Sequence, residues 1–471
     1  MNDVPSIALR GEAKLRDHAV VLGAGIAGLV AATVLAERFA LVTVVERDQL
    51  PDSPIDRRGV PQGRHLHSLL SRGSQILEEL HPGFLADLVE AGALILDDPD
   101  MHRIHSRVGP YTFNRTHSAA DPTALVTYLA SRPFLEFHLR RRVEALPNVA
   151  FLDGHDVGEL FSTQPHRITG VTISPRDSTS SETLSTDLII DATGRATRTP
   201  LLLDRLGFPP PAEHTFTADG RYYSQQIEIP DQDSFRERLI LVLPEGKAQR
   251  GGLMACENNT WTLTIAGRAS DLTHTPTDFA DMLTLAGDFI PPHIQPALHS
   301  AQPLTEVQTY RYPGGTWRRY DRLARHPDGL LVLGDALCSL DPINGQGMTM
   351  ATLHGTTLRA HLSRTGRVDP QAFYTAIAAI TKPVWASNAQ QPSGRGNKSS
   401  SPLSLRAFAW TRRKILESAA DDMMITERLM RVANFIDPPQ RLIAPGFLAR
   451  VAAHHIKRGL TGRSNTPAAK H

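Results

Sequence analysis

Val20-Val21-Leu22 runs straight into Gly23-Ala24-Gly25-Ile26-Ala27-Gly28, and this junction limits the fold more than any other stretch of the chain. A buried strand stops, a turn with no room for side chains follows, and a helix opens with its first N–H groups unpaired. Gly23 suits the tight turn, Gly25 leaves space where a Cβ would strike a pyrophosphate, and Gly28 lets helix approach strand. The backbone of Ile26 and Ala27 then offers N–H groups, and the positive end of the helix dipole, to two phosphates. Residues 29–39 read as the helix and 41–45 as a second strand. That strand delivers Glu46 near the ~20-residue offset of a ribose-binding carboxylate. The strand–helix–strand pattern predicts a parallel sheet with helices on its faces. Arg47 beside Glu46 also leaves room for a 2′-phosphate, so this unit alone does not choose between FAD and NAD.

A chain of 471 residues exceeds what one core of ~250 to 300 residues organises, so two intergrown domains are expected. Lys plus Arg (50) against Asp plus Glu (49) leaves a net charge of +1, which supplies no field for polyanions; nucleic-acid binding is not expected. Cys256 and Cys338 are too few for a disulfide framework and match no zinc-ligand spacing, which points to a reducing cytoplasm. The uncharged run 19–36 after Lys14 and Arg16 looks superficially like a signal peptide. The glycine spacing inside it and Glu46 soon after argue against that reading.

The fold class expected is α/β, a Rossmann-like FAD-binding domain with an inserted antiparallel β-sheet domain and a C-terminal helical segment. Helical periodicity covers 66–88 and 121–143, the latter entered through Asp121-Pro122, and a buried strand at 187–191 ends at Ala192-Thr193-Gly194. Residues 17–214 then form the first part of the nucleotide-binding domain. Alternating runs at 222–229, 239–243 and 261–265 make 215–312 an inserted antiparallel sheet, and 313–380, with a strand at 329–334 and a helix at 348–362, closes the first domain. The polar stretch 386–404 reads as a flexible linker. Residues 405–460 are helical in period and Arg-rich at first.

A second constellation lies about 290 residues downstream: Gly334-Asp335-Ala336, then Pro342, then Gly345-Gln346-Gly347-Met348. An acid just after a buried strand can hold ribityl hydroxyls, and the helix start beyond it faces a flavin pyrimidine; together they select FAD. With Asp191-Ala-Thr-Gly-Arg195 between them, these motifs resemble the FAD-dependent monooxygenases of the para-hydroxybenzoate hydroxylase type, in their squalene-epoxidase and polyether-epoxidase branch. The resemblance covers roughly residues 17–380. It implies that Arg57 to His67, with Gly59, Gln62 and Gly63, lies against the flavin, the two glycines letting backbone approach the isoalloxazine. It further implies that Arg132 at a helix start reaches the FAD, and that the backbone of Val157 meets the adenine.

The activity implied is delivery of one oxygen atom of O2, through a flavin C4a-hydroperoxide, to a hydrophobic natural-product intermediate, by epoxidation or hydroxylation. Electrons would come from NADH or NADPH, directly or through a flavin reductase, since no second G-x-G-x-x-G appears. Tyr223, Leu241, Met254 and Trp261 of the inserted sheet, with Phe216, Tyr222 and Leu253, are candidates to line the substrate cavity. Leu340, Asp341, Ile343 and Asn344 lead to Gly345 beside the reactive edge. A flavin-dependent alkene reductase resembling geranylgeranyl reductases and a non-catalytic flavin-binding protein remain the alternatives. No W-x-W-x-I-P stretch supports a tryptophan halogenase. No metal site is expected from His65, His67, His454 or His455, and Cys338 has no partner set of a nucleophile. The basic stretch 412–414 beside Leu405, Phe408 and Trp410 is read as a capping helix or as a weak membrane-surface helix. In that branch, tryptophan-bearing ordered structure closes the cavity after the GD helix. Here Trp385 runs into the polar segment 388–401, a departure from that pattern which leaves closure of the cavity on this side undecided by the sequence.

Overall fold

A computed structural model describes residues 16–164, 166–243, 249–272, 274–287, 289–365, 367–389 and 403–460. Five parallel strands form the first layer, in the spatial order Leu330–Val332, Leu188–Asp191, Arg16–Leu22, Phe39–Val45, Val149–Leu152. Their continuous apolar composition fits a sheet covered on both faces, and Ala19 to Leu22, Val42, Val44 and Ile189 to Ile190 are all buried. The helices Ile26–Ala36 and Gly347–Thr365 pack against each other over this sheet, so the first and last parts of the domain share one core.

The second layer is a nine-stranded sheet built around the 16-residue strand Glu213–Glu228. It reaches beyond 215–312. Gln308–Arg318 runs past Tyr312, and the sheet recruits Ile104–Val108 and Tyr111–Thr112 at one edge and Cys338–Ser339 at the other. Its outer face packs on the helices Phe279–Ala286 and Gln295–His299, with Trp261, Leu263 and Ile265 fully buried there. Each such side chain contributes ~1.5 to 3 kcal/mol by burial.

Several local expectations change. The single helix expected over 121–143 is three pieces: a short turn at Pro122–Leu125, the strand Thr127–Leu129 and the helix Arg132–Glu144. Asp121 does accept an N–H, from Ala124 at 3.3 Å, but the helix cap is Ser131, which accepts from Phe134 at 3.3 Å with Pro133 in the first turn. The span 66–88 is two helices, Ser71–Leu80 and Phe84–Glu90, separated at His81-Pro82-Gly83, where Pro has no N–H and Gly83 sits at φ 82°. The expected linker 386–404 begins as helix: Pro370–Ala389 continues through its first four residues, and Leu403–Ala419 begins within its last two. Residues 390–402 lie outside the described residues, as do 461–471. Beyond the linker, Met423–Ala433 is capped by Asp422, and Pro445–Leu460 follows.

These C-terminal helices are bolted to the first domain. Asn434 accepts the N–H of Ser71 at 3.1 Å, and Glu427 accepts those of Ala120 and Asp121 at 2.7 and 3.3 Å. Among the described residues no helix is long and apolar enough to cross a membrane.

Candidate functional site

The glycine turn has the shape its sequence demands. Gly23 holds φ 101°, and a Cβ there would lie 2.6 Å from the Ala192 carbonyl oxygen, in the turn after the neighbouring strand. A Cβ on Gly28 would fall 1.8 Å from the Gly23 oxygen. A Cβ on Gly25, in contrast, would meet nothing within 4 Å beyond its own chain neighbours and helix backbone, so this face of the turn is open. Asp191, fully buried, fixes the adjoining turn by accepting from the Thr193 N–H at 2.9 Å and from the hydroxyls of Thr193 and Thr197.

Glu46 accepts the Ala24 N–H at 2.7 Å and the Asp48 N–H at 3.0 Å, and Arg57 approaches it at 3.4 Å. Each carboxylate oxygen retains acceptor capacity for hydroxyl donors. Burial works against the Arg57 charge, yet Glu136, Glu46 and Asp48 outweigh it and hold its pKa above the ordinary value. Arg47 is exposed. The strand His155–Phe161, which carries Val157, starts with the His155 N–H bonded to the Glu46 carbonyl at 2.9 Å.

Gly59 and Gly63 are each crowded by a carboxylate where a Cβ would stand. A Cβ at Gly59 would lie 2.6 Å from Asp48 Oδ2, and one at Gly63 would lie 2.8 Å from Asp56 Oδ1. Gly59 therefore sits against Asp48, whose N–H is bonded to Glu46. The later part of the segment crosses the inner face of the antiparallel sheet, with His65 Nδ1 2.8 Å from Ser224 Oγ and the Leu66 N–H on Thr264 Oγ1 at 3.1 Å.

Gly334 lands on the glycine turn: a Cβ there would be 2.7 Å from Ala27 Cβ. The neighbouring Asp335 carboxyl has no hydrogen-bond partner among the described residues. Burial pushes its pKa up, while Arg132 and Arg195 pull it back down. Arg132 also reaches Gln62 Oε1 at 3.4 Å. Burial, reinforced by Arg132, depresses the pKa of His67 to about 3. Gln62, His67, Arg132, Arg195 and Asp335 thus converge from four separate parts of the chain. Pro342 opens a short turn that ends at Gly345 with φ 63°, and Asp335 Oδ1 lies 3.9 Å from the Cβ position of Gly347. Met348 and Leu340 turn their side chains into the main core.

Strand alternation sorts the expected substrate-lining residues. Tyr223, Leu253 and Trp261 fall on the outer face and pack under the two helices there, away from the turns just described, so they are corrected to core residues. Leu241 and Met254 share the inner face but pack with Leu66, Leu129 and Cys256. The inner face opposite the Asp341 turn carries Tyr222, Ala266 and Tyr312, with Phe216, Tyr310 and Ile343 packed on them. Tyr222 donates its phenol proton to Asp341 Oδ1. Burial raises the Tyr222 and Tyr312 pKa well above the phenol range, so both are neutral donors at neutral pH. Tyr312 is 1% exposed and its hydroxyl has no partner among the described residues. Sequence reasoning stopped at 312 and passed over it, although Tyr310 and Tyr312 share the parity of one strand face.

Trp385, the last tryptophan before the polar segment, packs on Phe216 and Trp317, with ring centroids 5.1 and 5.9 Å apart. One turn later Asn388 bonds directly to the 341–346 turn, a contact that no sequence signal announced. His454 and His455 make ordinary contacts with Asp421 and with Ser418 and the Lys414 carbonyl. Among the described residues no His, Cys, Asp and Glu cluster of three could hold a metal.

This two-layer arrangement is the fold of the flavin-dependent monooxygenases. The chain superimposes on a flavoprotein/dehydrogenase from Cytophaga hutchinsonii with a TM-score of 0.65 at 17% identity, covering 94% of this chain and 100% of that one. It matches the flavin-dependent brominase Bmp2 with a TM-score of 0.64 at 14% identity over 94% and 100%. For PqsL from Pseudomonas aeruginosa, a probable FAD-dependent monooxygenase, the TM-score is 0.59 at 15% identity over 89% and 100%. In sequence the chain is 35% identical over 458 residues, 94% of each protein, to Protein Rv3254 of Mycobacterium tuberculosis, and it belongs to the same family. No family model matches it.

Proposed function

We propose that this chain is an FAD-dependent monooxygenase that places one oxygen atom of O2 into a hydrophobic small molecule of natural-product type, by epoxidation or hydroxylation. The observation that carries the proposal is the contact of Gly334 with Ala27, which brings the Asp335 turn onto the glycine turn beside Glu46. This junction suits FAD chemically. Glu46 retains lone pairs for ribose hydroxyls, the Gly25 face admits a pyrophosphate, and the unpartnered Asp335 carboxyl fits a polyhydroxylated ribityl chain. The proposal also assigns cofactor contacts to Gly23, Ile26, Ala27, Gly28, Gln62, Arg132, Val157, Pro342, Gly345 and Gly347.

When bound and reduced, FAD supplies the activation of dioxygen. The chain's own part is to position and dry the reaction. Tyr222, Phe216, Ile343 and Trp385 form the apolar surface beside the Asp341 turn against which a hydrophobic substrate would lie. Electrons are assigned to NADH or NADPH, directly or through a reductase. Both cysteines are unpaired and buried, which supports a cytoplasmic setting.

The test is the absorption spectrum of purified protein, followed by NADH and NADPH oxidation and product analysis with apolar alkenes and phenols, in air, without air, and with bromide. An oxygenated product that forms only in air supports the proposal. Saturated product without air would identify a reductase, and brominated product a halogenase. Protein that takes up no FAD would end the reading.

A further inference from the structure

Asn388 closes the helix Pro370–Ala389 at a position 2% exposed, and every hydrogen-bonding site of its amide is used. Its Oδ1 accepts the Asp341 N–H at 3.2 Å and Asn344 Nδ2 at 2.8 Å. Its Nδ2 donates to Gln346 Oε1 at 2.9 Å and to the Val384 carbonyl at 2.9 Å.

Two of these partners cannot change role: a backbone N–H only donates and a backbone carbonyl only accepts. Asp341 and Val384 therefore fix which end of the Asn388 amide faces the turn. That choice in turn dictates the other two amides. Asn344 must spend its NH2 on Asn388 and keep Oδ1 as its outward acceptor. Gln346 must spend its oxygen and keep Nε2 as its outward donor. Neither Asn344 Oδ1 nor Gln346 Nε2 has a partner among the described residues.

We infer that Asn388 is a positioning residue that sets the hydrogen-bonding polarity of the 341–346 turn toward the flavin. This rests on the FAD reading above. A flavin pyrimidine carries carbonyl acceptors beside one N–H donor, so it distinguishes a turn offering one donor and one acceptor from a turn with either amide reversed. The same turn holds Asp341, which accepts from Tyr222, so Asn388 also ties the helix to the inner face of the antiparallel sheet.

The test measures FAD affinity by titrating apoprotein, and the midpoint potential of bound flavin, in full-length wild type, Asn388→Ala, Asn388→Asp and Ser387→Ala. Ser387 bonds only its own helix, at the Val384 carbonyl, and makes a control for damage to the helix end. Asn388→Ala should raise the FAD Kd about tenfold or more. Asn388→Asp keeps the shape, so it remains informative if Asn388→Ala fails to fold. Its carboxylate attracts the Gln346 NH2 and reverses that side chain, and its charge disfavours the reduced flavin. The potential should become more negative, and the loss of affinity should deepen as pH rises and the carboxyl ionises. Ser387→Ala should match wild type. Folded Asn388 variants with wild-type Kd and potential, or a Ser387→Ala effect equal to theirs, would overturn the inference alone. Wild-type protein that takes up no FAD would overturn the flavin reading and this inference with it.

Discussion

Replacing Glu46 by Gln tests the proposed ribose contact in two separable ways. The carboxylate receives two backbone donors, at 2.7 Å from Ala24 and 3.0 Å from Asp48. An amide offers one acceptor oxygen, so in Glu46→Gln one of these N–H groups must face an NH2. A hydrogen bond to a charged acceptor contributes ~1.5 to 3 kcal/mol, and a buried donor left unpaired costs ~1 to 3 kcal/mol. The cofactor-free protein should therefore lose about 2 to 3 kcal/mol, read from the first transition in urea. FAD binding should weaken further, because a charged acceptor for the ribose is gone: ~1.5 to 3 kcal/mol corresponds to a Kd roughly 10- to 100-fold higher. Wild-type stability in the cofactor-free variant would refute the role given to the Ala24 and Asp48 contacts. Lost stability with unaltered FAD affinity would refute the ribose assignment.

Gly25→Ala should fold with wild-type thermal stability yet bind FAD at least tenfold more weakly, because its Cβ meets only the ligand's space. Gly28→Ala, driven to 1.8 Å from a carbonyl oxygen, should fail to accumulate as folded protein, and equal stability of the two would contradict the geometry. A Tyr222→Phe and Asp341→Asn double-mutant cycle should show ~1 to 3 kcal/mol of coupling in thermal denaturation; strictly additive losses would remove the pair. Burial lowers the pKa of His65, His81, His105 and His354 from 6.5 to about 4. Between those values the unfolded chain binds protons that the folded chain does not. Stability is therefore complete above pH 6.5 and falls toward pH 4, by ~1.4 kcal/mol per histidine per pH unit. A urea midpoint that stays flat from pH 7 to pH 5 would show that these imidazoles are not buried neutral.

The parts legible in the sequence were those where one residue type has one steric or electrostatic reason. Gly23 and Gly28 cannot carry a Cβ, Glu46 ends a strand, and Asp335 follows a buried strand into a glycine-rich helix start. Such reasons are local, and local pattern records them. What stayed hidden depends on partners distant in the chain. Gly59 reads as a place for close ligand approach, and nothing local tells that Asp48 also stands against it. Tyr223 and Trp261 look like cavity residues until strand register assigns them the outer face. The helix does start at Arg132, as the resemblance implies, whereas periodicity alone runs it back to Asp121 because it does not reveal that Thr127–Leu129 is claimed by a strand partner, Leu94–Leu96. Asn388 sits at the edge of a polar run that reads as linker, and only the turn forty residues earlier explains its burial.

The order of strands in the parallel sheet also bears on how the chain comes to be assembled on the ribosome. Leu330–Val332 is the last of the five to be synthesised, and it lies beside Leu188–Asp191. Until it emerges, Leu188–Asp191 has one edge bare, and the Asp335 turn does not yet exist. The antiparallel layer, nearly all encoded between those two strands, can form first. The parallel sheet is then completed late, when Leu330–Val332 emerges and covers that remaining edge.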